Sequence, residues 1–142
     1  MILRKGGIAD EGGLFKPEYD KFWLYPTFVH QQTAGIKAES MPLLKLVESE
    51  RPEAGMVRIQ HFVEVNEVRF LDNLDDALAI APSHIWSEDT VRQRFHYRKP
   101  GLFVLAVKVF AVPTPTEIVE LPEYIGCKTW VNLKTPISTD SL

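Results

Sequence analysis

From Leu102 to Val112 every residue is apolar except Lys108, and Val104, Val107, Val109 and Val112 are β-branched. A run this short cannot cross a bilayer as a helix, and it is too continuous for a single amphipathic face. It therefore predicts a central strand covered on both sides. Such a strand needs neighbours, and the chain supplies candidates. Val57, Ile59, Val63 and Val65 share one parity while Arg58, Gln60 and Glu64 share the other, the pattern of a half-buried strand. Val68 and Phe70 then fall on the opposite parity, so a turn or bulge is expected at Asn66-Glu67.

Shorter strands are expected at Ile2 to Lys5, closed by Gly6-Gly7 ahead of a polar loop through Gly12-Gly13, and at Phe22 to Tyr25, stopped by Pro26. Cys127 to Leu133 alternates again and is expected to close the sheet. Helical spacing recurs at Leu43, Leu44 and Val47 behind Ser40, predicting a helix over Met41 to Glu50. A second, acidic in its first turn, is expected over Asp72 to Ile80. Strands and helices mix without a regular βαβ repeat. The expected class is α+β: one domain over residues 1–142 with a mixed, mostly antiparallel sheet or pseudo-barrel and about three short helices.

With 142 residues, 45% of them hydrophobic, the chain can bury one substantial core. Sixteen basic against nineteen acidic residues leave a formal charge of −3, which excludes a general cationic field for duplex DNA or an anionic membrane. Any nucleic-acid contact must be local. No apolar segment has the length of a membrane span, no signal-peptide core opens the chain, and the lone Cys127 excludes an internal disulfide, so a cytoplasmic protein without membrane partners is expected.

The densest chemistry lies between His84 and Tyr97. Ser87 is a suitable N-cap followed by Glu88 and Asp89, and Trp86 and Val91 have hydrophobic-staple spacing. Val91 and Phe95 share one face, Arg94 and Arg98 a second, Arg92 and His96 a third, and the helix must end before Pro100-Gly101. Its last turn gathers Arg92, Arg94, His96, Arg98 and Lys99 into a local positive patch. Cations there complement the helix dipole. They also suit a phosphate or carboxylate, with the aromatics available to stack on a base.

Elsewhere, His30 and Gln31 follow Pro26-Thr27 at the end of an aromatic strand, where a polar pair can face a cleft or fix a loop. His61, on the apolar parity of its strand, reads as a hydrogen-bonded core histidine, Lys108 as an amine snorkelling to the sheet edge, and Cys127 as a buried strand thiol. The histidines and the cysteine lack zinc spacing, Asp72, Asp75 and Asp76 lack calcium-loop spacing, and Arg4-Lys5-Gly6-Gly7 lacks the spacing of a phosphate loop. Neither a metal nor a cofactor is expected.

Four blocks together carry a resemblance: Leu3 to Ile8; Phe22, Leu24 to Thr27, His30 and Gln31; His84 to Trp86 with Arg94, Phe95 and Tyr97; and Gly126 to Lys128 with Trp130 and Val131. In this order, across nearly the whole chain, they resemble the bacterial domain-of-unknown-function family eighteen-oh-two, which implies no established activity. Similar proteins usually carry a helix and the start of the first strand before the Arg-Lys-Gly-Gly block, so a shortened first strand is expected here. Carried over position by position, the resemblance singles out Arg4, Lys5, Tyr25, Thr27, His30, Gln31, His84, Trp86, Arg94 and Tyr97. The order of elements from Val57 to Val112 is also similar to small pseudo-barrel domains of the PUA and ASCH type, an analogy of fold that does not settle function.

The expectation that follows is a binding module for RNA, a nucleotide or another phosphate-bearing ligand. Arg4, Lys5 and Arg94 would supply charge, His30, Gln31 and His84 hydrogen bonds, and Tyr25 or Tyr97 stacking. Two alternatives stand beside it: a metal-independent hydrolase or nuclease with His30 or His84 as general base, and a partner-dependent interaction protein whose histidines are structural.

Overall fold

The computed structural model describes residues 1–5, 15, 17–28, 33–126 and 128–139. The Gly6-Gly7 and Gly12-Gly13 turns, His30, Gln31 and Cys127 lie outside the described residues. Strand β1 is Ile2–Arg4, β2 Lys21–Trp23, β3 Met56–Leu71 and β4 Leu102–Val119; the helices are α1 Met41–Ser49, α2 Leu74–Ala79 and α3 Glu88–His96. The strands form one antiparallel sheet in the order β1-β4-β3-β2, so the class is α+β with three short helices.

Contacts divide the chain into two compact units. Unit 1 holds Met1–Lys5, Phe28–Glu50 and Glu67–Ala106, and unit 2 holds Gly6–Thr27, Arg51–Asn66 and Val107–Leu142. In unit 1, β1 pairs with β4 in the register Ile2↔Leu105, Leu3↔Val104 and Arg4↔Phe103. Leu3, Leu102 and Val104 form a core with Ala77 of α2 and Val91 and Phe95 of α3, flanked by Leu71, Leu74, Leu78, Ile80 and Trp86. The i, i+4 spacing of Val91 and Phe95 thus turns one face of α3 to the sheet, each such side chain contributing about 1.5–3 kcal/mol of burial. In unit 2, Phe22 pairs with Val63, and Val57, Ile59, Ile118 and Tyr124 form the core.

The local signals for the helices are realised. The Asn73 side chain accepts from the Asp75 amide at 2.8 Å to start α2, and Ser87 accepts from the Thr90 amide at 3.2 Å to start α3. Pro42 opens α1, where Ser40 makes no side-chain cap. Leu43, Leu46 and Val47 of α1 are exposed, so its apolar stripe has no cover among the described residues.

Several expectations require correction. No turn interrupts the chain at Asn66-Glu67; β3 runs through it to Leu71. Leu71, on the parity of Val57 and Val63, goes to a core, while Val68 and Phe70 are exposed. The apparent phase slip is therefore two surface apolar residues on an unbroken strand. β4 is buried on both faces only from Leu102 to Leu105, and it continues through Pro113 and Pro115 to Val119. β1 covers only Phe103 to Leu105, and the open side of a strand is where proline is accommodated.

Residues 128–133 form no strand. Val131 and Leu133 pack on the unit 2 core, and the neighbouring Lys134 amide donates to the Tyr124 hydroxyl at 2.9 Å rather than to a ladder. Alternation here records docking of an extended segment. His61 is exposed despite its parity, because the face covered at Ile59 and Val63 is open between them. Lys108 is exposed with its ammonium 4.6 Å from the Phe110 ring centroid, so the amine stays in solvent.

Candidate functional site

The two ends of α3 organise the candidate residues of unit 1. At the entry, Ile36 bridges to Trp86, the Lys37 amide donates to the Ile85 carbonyl at 2.8 Å, and the Ser87 amide donates to the Gly35 carbonyl at 3.0 Å. The Thr90 hydroxyl donates to the same Gly35 carbonyl at 2.9 Å. The Lys37 ammonium donates to the carbonyls of Ala81 and His84. Lys37 is absent from the residues singled out by sequence, since the local sequence does not reveal a bond across more than forty positions.

His84 is folded back on the chain. Its Nδ1 accepts from the Trp86 amide at 3.2 Å, which in the neutral ring places the proton on Nε2. That nitrogen is buried with no hydrogen-bond partner among the described residues. Desolvation, then the nearby Lys37 charge, lowers the histidine below its ordinary pKa and favours the neutral form. With one nitrogen accepting from the main chain and the other carrying a buried proton, His84 offers no lone pair to a substrate in this geometry.

Trp86 does two things at once. It packs against the unit 1 core, as staple spacing predicts, and its ring lies under Arg94, whose guanidinium carbon is 4.9 Å from the ring centroid. The guanidinium of Arg94 makes no hydrogen bond or ion pair among the described residues, so its in-plane donors remain uncommitted while its face is fixed. Arg92, two residues earlier, is paired with Glu88 through 2.9 and 2.6 Å hydrogen bonds and is neutralised.

At the exit, Tyr97 ends α3 and Arg98 takes a positive φ of 62°, turning the chain toward Gly101. Gly101 has φ 120°, and its amide donates to the Phe95 carbonyl at 3.1 Å. Lys5 arrives from β1 beneath this turn, and its ammonium donates to the carbonyls of Phe95, Lys99 and Gly101. An ammonium has three donors, so those of Lys5 are fully committed to closing the end of α3. Burial lowers its pKa. Tyr97 is exposed, and the Arg98 guanidinium lies 5.1 Å from its ring centroid.

The structure therefore gathers only part of the proposed set. His84, Trp86 and Arg94 are linked through contacts, with Tyr97 and Arg98 at the end of the same helix. Arg4 belongs elsewhere: side chains alternate along β1, Leu3 faces the α3 core, and Arg4 pairs with Phe103 on the sheet's other face. Tyr25 and Thr27 belong to unit 2. The Tyr25 ring packs on that core and stands edge-on to Tyr124 at 5.9 Å. Its hydroxyl donates to Glu120 Oε1 at 3.3 Å, and desolvation followed by that carboxylate push its pKa up to about 12. Among the described residues, no three His, Cys, Asp or Glu side chains gather to hold a metal ion, and no helix is long and apolar enough to cross a membrane.

An α+β chain with a basic, aromatic-backed helix is the class that fold and site define. The model of the domain of unknown function (DUF1802) matches residues 1–141, and the protein belongs to that family. Comparisons with curated proteins and with solved structures found no match, so the PUA and ASCH likeness remains an analogy.

Proposed function

We propose that the protein is a binding module for a phosphate-bearing ligand, a nucleotide or RNA, with Arg94 as its anchor. The observation that carries this reading is the guanidinium held over Trp86 with its donors uncommitted among the described residues. Stacking removes much of the rotamer freedom that a free arginine would lose on binding, and the planar fork matches two oxygens of a phosphate. Tyr97, exposed at the end of the same helix, supplies a face for a base, with Arg98 beside it. The chain's overall charge of −3 makes the contact local, so the salt dependence should be shallow, near the slope of about −0.7 per phosphate expected for a single strand.

The test is fluorescence anisotropy with a labelled single-stranded RNA, alongside thermal-shift measurements with nucleotides and inorganic phosphate and product analysis on any ligand that binds. Binding without turnover, lost in Arg94→Ala while thermal unfolding is unchanged, supports the module. Absence of binding to all three probes overturns it. The interaction-protein reading keeps support of its own from the apolar stripe of α1, which has no cover among the described residues.

A further inference from the structure

β3 outruns its neighbour on one side. β2 pairs with Phe62, Val63 and Glu64, and the last bond on that side is the Val65 amide donating to the Asp20 carbonyl at 2.7 Å. Val63 and Val65 direct their main-chain groups toward β2. In a continuous strand Glu67, Arg69 and Leu71 direct theirs the same way, and no partner meets them among the described residues. Among the described residues this is an open strand edge, a template for another strand.

Three features distinguish this edge. Val68 is 36% exposed, and Phe70 is 52% exposed although its ring packs on Phe103 with centroids 5.0 Å apart. β4, by contrast, carries Pro113 and Pro115 beyond its pairing with β1, a device that blunts a strand edge, and Glu67 to Leu71 contains no proline. Finally, Glu67 and Arg69 flank Val68 with opposite charges and already form an ion pair along the strand.

We propose that residues 67–69 pair antiparallel with the same edge of a second copy about a two-fold axis at Val68. In that register Val68 faces Val68 and Glu67 of each copy faces Arg69 of the other, so the charges are self-complementary. Shifting the axis to Arg69 would set two arginines opposite each other. The axis at Val68 is the one that the charges favour. The paired edges are short, which makes the dimer concentration-dependent rather than obligate.

The experiment is sedimentation equilibrium of the full chain from low micromolar to several hundred micromolar protein, with thermal unfolding followed for each variant. The wild type should show a monomer–dimer equilibrium. Glu67→Arg and Arg69→Glu should each weaken it at least about tenfold by placing like charges opposite, and the double exchange Glu67→Arg with Arg69→Glu should restore it. A wild type that stays monomeric throughout overturns the proposal. So does a dimer indifferent to both single substitutions, or one that the double exchange fails to recover while unfolding as the wild type does.

Discussion

Lys5, which reaches α3 from the end of β1, and Arg94, which α3 itself carries, meet opposite fates. Lys5, at the end of β1, has all three ammonium donors on the carbonyls of Phe95, Lys99 and Gly101. Arg94, in the last turn of the helix, rests on Trp86 with its donors uncommitted among the described residues. One cation completes the fold and the other is presented by it. A positive charge near a helix end is therefore no guide to function until its hydrogen bonds have been followed.

The largest effect expected from breaking this contrast is Lys5→Met. Removing the donors leaves part-buried carbonyls without partners, and with hydrogen bonds to charged groups contributing about 1.5–3 kcal/mol, a loss of stability of that order should appear in chemical denaturation. Anion affinity measured well below the midpoint should be nearly unchanged. Gly101→Ala perturbs the same turn more gently. Its φ of 120° is strained for any L side chain and the added Cβ would meet Phe70 Cζ at 2.2 Å, but that ring is exposed and can move. A cost of about 1–2 kcal/mol, mainly from the backbone, should be read from the same denaturation curves.

On the side of presentation, Tyr97→Ala should weaken a bound base by about 1 kcal/mol, measured by anisotropy, with little change in stability. The smallest effect is expected at His84. Burial and the Lys37 charge hold its folded-state pKa below the unfolded one, so the unfolded chain takes up the proton first. The contribution to stability is present above about pH 6.5 and is lost as the pH falls through the folded-state value. His84→Asn keeps an acceptor for the Trp86 amide in an Asx-type turn and should flatten this acid dependence of the melting temperature. An unaltered profile would show that His84 is not its source.

Much of unit 1 was legible because its signals are local. The Ser87 cap, the Trp86 and Val91 staple and the Val91 and Phe95 face each lie within one or two helical turns. The alternation of Val57 to Val63 likewise identified β3. What escaped depends on distant partners. Neither the continuation of β4 through two prolines nor the docking of Val131 and Leu133 without a ladder follows from periodicity, which reports a covered face and not the neighbour covering it. The same holds at the candidate site. Arg4 and Lys5 look equivalent in the sequence, but strand alternation sends one to each face of the sheet. Trp86 packs on the core as its staple spacing indicates, yet nothing in that spacing announces that Arg94 lies on its ring.

The most direct test of the central claim is the affinity of Arg94→Ala for a labelled single-stranded RNA and for nucleotides, measured beside its thermal unfolding. Loss of at least about tenfold in affinity, equivalent to about 1.4 kcal/mol, at an unchanged melting temperature is the result predicted. Wild-type affinity in this variant would contradict the assignment of Arg94 as the anchor.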